Sequence, residues 1–154
     1  MRKTLTLLLG LASITVLLGT IQGSVVINEI ELNPPGDESA HIPNVRAWIE
    51  LYNNDDKPAN IGKWSINTLQ GRSISVPEGT IILGLDYYII PIESQWLDFA
   101  GEIFVLNDKT GIEVDRTPIL NDTQDTELAW TRDPDGRDTN NNNDWKFLPS
   151  SSGF

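Results

Sequence analysis

The chain has 154 residues, no cysteine, a single histidine and a formal charge of −11. A chain of this size can bury enough surface for one core without covalent staples, so the absence of disulfides is no obstacle to folding. Charge of that sign repels phosphate backbones; it argues against nucleic-acid and anionic-lipid binding and suits solubility or cation binding.

The first segment predicts an export signal. Arg2-Lys3 form a short basic region, an apolar stretch runs from Leu5 to Leu18, and Gly19, Thr20 and Gly23 offer small residues, which places cleavage after Gly23. Residues 1–23 are expected to form a signal helix, removed or kept as an N-terminal anchor, and residues 24–154 one folded domain. The apolar stretch falls short of the about 20 residues of a membrane span, so membrane attachment is expected only if the segment stays uncleaved. No cysteine follows it to carry an acyl anchor. Loss of Arg2 and Lys3 with the leader takes the formal charge from −11 to −13. An oxidising exterior left unused for disulfides points to a prokaryotic source.

From residue 25 onward, short apolar runs alternate with turn signals, the pattern of an all-β sandwich or barrel. Strands are predicted at 25–32, 46–52, 63–69, 73–76, 80–83, 87–91, 102–106, 113–116, 127–132 and 145–147. Asn33-Pro34-Pro35-Gly36 ends the first, because prolines cannot continue a ladder. Asn53-Asn54-Asp55-Asp56-Lys57-Pro58, Pro77-Glu78-Gly79, Gly84-Leu85-Asp86 and Asn107-Asp108-Lys109-Thr110-Gly111 mark further turns. β-branched residues and prolines disfavour helices. Residues 94–100 predict one short turn whose Trp96, Leu97 and Phe99 cap an open end of the core. Residues 140–143 read as loop.

Two strands carry a glutamate inside an apolar run: Val26-Ile27-Asn28-Glu29-Ile30 and Trp48-Ile49-Glu50-Leu51-Tyr52-Asn53. Alternation puts Trp48, Glu50 and Tyr52 on one face and Ile49, Leu51 and Asn53 on the other, so the second strand is expected to be central. A buried carboxylate requires a donor: a backbone N–H, an indole N–H or an arginine for Glu50. The same holds for Glu29, placed opposite to Asn28 and Ile30. As a catalytic pair for glycoside hydrolysis, Glu29 and Glu50 would make a small carboxylate-based hydrolase. Their neighbours resemble a core rather than a sugar cleft, which favours structural acids.

The 133–144 loop concentrates Asp133, Asp135, Asp138, Asn140, Asn142 and Asp144. Hard oxygens at that density suit calcium and would make a calcium-dependent surface or carbohydrate-binding adhesin. The spacing is not that of an EF-hand: glycine comes fourth, Arg137 intrudes, and the twelfth residue is aspartate. Asp133-Pro134-Asp135-Gly136 also fits a type I turn, which needs no metal. His41, with no cysteine or second histidine, does not make a zinc site, and no G-x-S-x-G supports a triad; it is expected to be an exposed loop residue. Trp48, Trp64 and Trp130 fall in strand patterns and are expected in the core. Trp96 and Trp145 flank loops, where aromatics can cap the core or stack on sugars. No phosphate loop or dinucleotide fingerprint is present.

An ordered series of motifs resembles the lamin-tail domain. Beyond the two glutamate strands, Asn60-Ile61-Gly62-Lys63-Trp64-Ser65-Ile66 is similar to the family's N-x-x-G-W-x-[ILV] strand. The run from Pro77 to Ile90 is similar to P-x-G-T-x-[IL]-x-x-G-x-x-[YF]. Leu106 to Asp115 resembles the hairpin L-x-D-x-x-G-x-x-[VL]-D. Ala129-Trp130-Thr131-Arg132 with Asp133-Pro134-Asp135-Gly136 matches the late strand and R-x-P-D-G turn, and Asp144-Trp145-Lys146-Phe147 the closing D-[FW]. The ending Ser150-Ser151-Ser152-Gly153-Phe154 departs from the T-P-G-x-P-N of many prokaryotic members.

The resemblance implies an immunoglobulin-like β-sandwich that is non-catalytic and, in prokaryotic members, exported to tether proteins to surfaces or other macromolecules. The expectation is an extracellular or cell-surface binding or scaffolding module, not an enzyme. Its partner would be a protein or cell-surface polymer, met by the 33–44 and 133–144 loops. No resident cofactor is expected, with calcium reserved for Asp133, Asp135, Asp138, Asn140 and Asp144.

Overall fold

Among the described residues the short β-branched runs fold as eleven strands: β1 (Val25–Glu31), β2 (Trp48–Asn53), β3 (Ala59–Asn60), β4 (Ser65–Thr68), β5 (Ser73–Ser75), β6 (Ile81–Ile82), β7 (Tyr87–Pro91), β8 (Phe104–Asn107), β9 (Glu113–Arg116), β10 (Leu128–Arg132) and β11 (Trp145–Pro149). This computed structural model describes residues 25–36, 46–93 and 97–151. The signal segment, His41 and Trp96 lie outside the described residues, as does most of the 33–44 loop.

The strands form an antiparallel five-stranded sheet, β11-β10-β1-β2-β7, and a four-stranded sheet, β5-β4-β8-β9, with a two-stranded ribbon, β3-β6. The result is an immunoglobulin-like β-sandwich. Alternation decides what faces inward. Val25, Ile27, Ile30, Ile49 and Leu51 from the first sheet, with Leu32 just past the end of β1, meet Ile66, Phe104 and Leu106 from the second, and Ile61, Val76 and Ile82 close the side. Burying each large side chain contributes about 1.5–3 kcal/mol. As expected, β2 is internal to its sheet, between β1 and β7.

Two local deviations place the site. In β1 the register against β2 slips between Ile27 and Glu29. The inward phase therefore passes from Ile27 to Ile30, and Asn28 stands as the extra residue of a β-bulge. Asn28 and Glu29 thus both serve the outer face, which corrects the expectation that they point oppositely. The second deviation is at Lys63, where the glycine of the N-x-x-G-W pattern falls. Lys63 has φ +67°, a left-handed conformation that cannot extend a strand, so β4 starts at Ser65 rather than at 63.

Candidate binding surface

The bulge exposes backbone groups, and buried charge takes them up. β10 pairs with β1 at Glu29 and Ile30, and Ile27 lies beyond that ladder. Its N–H donates to Asp115 Oδ2 at 2.7 Å, and its C=O accepts from Arg132 Nε at 2.8 Å. Arg132 in turn donates through Nη2 to both Asp115 oxygens at 2.9 and 3.0 Å. Its Nη1 reaches the Arg137 carbonyl at 2.7 Å and Asp138 at 3.3 Å. Arg132 is 2% exposed and lies 4.8 Å from the centre of the Trp145 ring. Burial pushes the Asp115 carboxyl up, while the Arg132 charge and the Ile27 N–H oppose it. Since Asp115 belongs to β9, this pair joins the two sheets at the bulge.

Asn28 carries the loop from the same bulge. Its Oδ1 accepts from Gly136 N–H at 2.8 Å. Its Nδ2 lies 2.9 Å from Glu50 Oε1 and 3.0 Å from Asp135 Oδ1. Gly136 has φ +68°, and a Cβ there would sit 1.9 Å from Asn54 Oδ1, so glycine is required on both counts. The turn closes from Arg137 N–H to the Pro134 carbonyl at 3.1 Å. This corrects the type I turn expected at 133–136. The turn spans 134–137, with glycine third, where a positive φ is needed, and the Asp133–Pro134 peptide is cis.

The calcium candidates have separate partners. Asp133 pairs with Lys146 at 2.5 Å. Asp135 accepts from Asn28 and, at 2.8 Å, from the Tyr87 hydroxyl, whose pKa is pushed up by burial and by Asp135. Asp138 meets Arg132 and also accepts from Asn140 N–H at 3.1 Å. Asp144 ends a single 3-10 turn, Asn142–Asp144, in a capping box with Asn141. It accepts from Thr139 N–H at 2.7 Å and pairs with Arg137 at 3.0 Å. Burial pushes the Asp144 carboxyl up, but the N–H and hydroxyl of Thr139, the N–H of Asn141 and the Arg137 charge hold it below its ordinary range. Asn140, at φ +55°, and Asn142 stay exposed. Among the described residues no group of three or more histidines, cysteines or acids is placed to share one metal ion.

Glu29 and Glu50 stand directly opposite each other across β1 and β2. Both are buried. Glu50 found its donor in Asn28, a type the sequence reading did not name. Glu29 accepts from Ser151 N–H at 2.8 Å and from the Ser151 hydroxyl, so the chain end covers it. Neither lines any of the three clefts described below.

The clefts differ in size and character. One of about 200 Å³ lies between the loop (Asp138, Asn140 to Asn142) and Arg116 to Pro118, with Trp145 behind it. A second, about 320 Å³, lies on the outer face among Glu31, Pro34, Pro35, Arg46, Trp48 and Glu127. Glu31 is 2% exposed there, and its Oε1 has no hydrogen-bond partner. Burial pushes its pKa up to about 8; the Asn33 N–H opposes this, and the charges of Asp122, Glu29 and Glu127 add to it. The third, about 440 Å³, is lined by Asn60, Lys63, Glu78, Asp108 and Lys109 and by the part of Trp64 that its packing on the core leaves exposed. The tryptophans fall largely as expected. Trp64 and Trp130 pack against the core while staying partly exposed, Trp48 is half-buried, and Trp145 joins the core beneath Arg132.

A two-sheet antiparallel sandwich with its loop chemistry tied inward defines an immunoglobulin-like domain of the binding or scaffold class. The profile of the Lamin Tail Domain family matches residues 20–146, and the chain belongs to that family. No curated protein matches it.

Proposed function

We propose that the chain is a non-catalytic, exported binding or scaffolding module whose partner is a protein or a cell-surface polymer. The observation that carries this reading is how the 133–144 loop is held. Its acids and turn are tied from below by Arg132, Asn28, Tyr87 and Lys146, while the Asn140 and Asn142 amides face outward. That arrangement supports recognition by a preorganised polar rim, with little ordering entropy lost on contact. A cleft of about 200 Å³ is smaller than the roughly 300–1,000 Å³ of small-ligand sites, which favours a macromolecular surface. The basic and apolar leader supports export.

The test is capture from the native cell envelope by the immobilised chain, with and without millimolar calcium. Specific retention that Asn140→Asp and Asn142→Asp together abolish, with the melting curve unchanged, is the expected result. Equal retention by both proteins would sink the assignment to this rim. A melting temperature raised by calcium and restored by EDTA would show the adhesin reading instead.

A further inference from the structure

The cleft of about 440 Å³ lies at the Asn107 and Glu113 end of the β8–β9 hairpin, whereas the 133–144 loop meets its Arg116 end. Its size falls inside the roughly 300–1,000 Å³ range of small-ligand sites. We infer that this cleft binds a neutral saccharide, one pyranose ring stacked on the Trp64 indole. This takes the reading of a non-catalytic binding module further, adding a second site with its own ligand class.

Three turns build the cleft. The end of β3 supplies Asn60 and the turn after it Lys63 and Trp64, the turn before β6 supplies Glu78, and the β8–β9 turn supplies Asp108 and Lys109. The first two turns touch so closely that a Cβ on Gly62 would lie 2.7 Å from the Gly79 nitrogen. Backbone bonds fix the indole's base: Trp64 N–H donates to the Ile61 carbonyl at 3.0 Å, and the Trp64 carbonyl accepts from Val76 N–H at 2.8 Å. Lys63 holds φ +67° between them, a conformation glycine would take without strain. A left-handed non-glycine residue beside a partly exposed aromatic is consistent with a functional constraint at this turn.

The rim is polar and largely without protein partners among the described residues. Asn60 Oδ1 accepts from Gly62 N–H at 2.9 Å, which orients the amide and leaves its Nδ2 without an acceptor. The Trp64 indole N–H and the Lys109 ammonium are likewise without one. Asp108 Oδ1 takes Thr110 and Ile112 N–H at 2.8 and 3.0 Å, so its second oxygen stays available. Donors and acceptors around an aromatic face are what sugar hydroxyls and a pyranose C–H face require. Lys63 pairs with Glu78 at 2.8 Å, and Lys109 stands with Asp108, so the rim carries no net sign within a chain of charge −11. That balance selects a neutral sugar over an acidic one. The walls are turns apart from Asn60, which ends the two-residue β3, too short a ladder for a peptide strand to extend.

The full chain is run in native gels containing barley β-glucan, xylan, galactomannan or pullulan. At least one retards it, and retardation survives about 0.5 M NaCl, where surface charge is screened. Trp64→Ala weakens the affinity about tenfold or more. Two further variants guard against misfolding. Lys109→Ala, on an exposed side chain, weakens it about threefold with the melting temperature unchanged. Lys63→Gly weakens it similarly while raising the melting temperature, because the left-handed strain is relieved; a purely structural role would not give those opposite signs. No retardation by any of the four, or loss at high salt, overturns the inference. If envelope capture by the Asn140 and Asn142 rim persists in that case, the broader reading stands and only this site falls.

Discussion

Two ends of the five-stranded sheet bury charge in opposite ways. At the β1 bulge, Arg132 and Asp115 are 2% and 7% exposed, and they take up backbone groups that the bulge leaves without a strand. At the other end, Glu31 and Asp122 are as deeply buried, but each keeps one oxygen unpartnered, Glu31 Oε1 and Asp122 Oδ2. The first arrangement fixes a loop in place. The second is strained by its own charge. Depth alone therefore does not tell whether a buried acid holds the fold together or works against it; the presence of a donor does.

The sharpest way to break the contrast is Arg132→Met. The change keeps volume but leaves Asp115 buried without its counter-ion and the Ile27 and Arg137 carbonyls without their donor. The expected loss is about 3–5 kcal/mol, read as a lower urea midpoint. Adding Asp115→Leu removes the stranded charge but still leaves the Ile27 N–H and C=O unpaired, so the double variant stays at least about 2 kcal/mol below the parent. Full recovery would mean that the bulge does not depend on this pair. Asn28→Ala comes next, at about 2–3 kcal/mol, since it frees Gly136, Asp135 and Glu50 together. Its loop should also become the first site of limited proteolysis.

Glu31→Gln probes the other end and should have the opposite sign. In the folded state burial holds the Glu31 carboxyl at a pKa of about 8, against an ordinary glutamate value of 4.5. Between those values the folded state holds more protons than the unfolded one, so stability falls as pH rises. The relative stability is fully present below about 4.5 and lost as pH climbs through about 8. Glutamine carries no charge to bury. The variant should match the parent near pH 4.5 and exceed it at pH 8 by on the order of 1–3 kcal/mol. Melting curves at both pH values that differ equally would refute the burial argument.

Much of this was legible in the sequence, in places set by local chemistry. Alternation along Trp48 to Asn53 gave the central strand and the need of Glu50 for a donor, and the motif series gave the sandwich. Asn28 was legible only as a trace: the adjacent polar pair Asn28-Glu29 interrupts the alternation, but a strict period of two taken through it hides the slip. The slip shows only when Ile27 and Ile30 are both seen facing inward. The 133–144 loop drew attention for its acids, yet composition could not show that Arg132 just before it and Arg137 within it would meet those acids. Lys63 on a glycine position was readable in principle, since a pattern mismatch in a turn predicts backbone strain.

The smallest effect sharpens the comparison most. Asp133 and Lys146 form the shortest ion pair of the loop, at 2.5 Å, but their side chains are 45% and 52% exposed. Water and salt screen such a pair, and two flexible side chains lose entropy to hold it. Asp133→Asn is therefore expected to change stability by less than about 0.5 kcal/mol, and the shift should vanish in high salt. The Arg132–Asp115 contact is longer, at 2.9 Å, yet its loss should exceed this by severalfold. If the two variants had equal urea midpoints, distance rather than desolvation would rank the charges of this loop. The bulge would then be no more its anchor than the surface lysine.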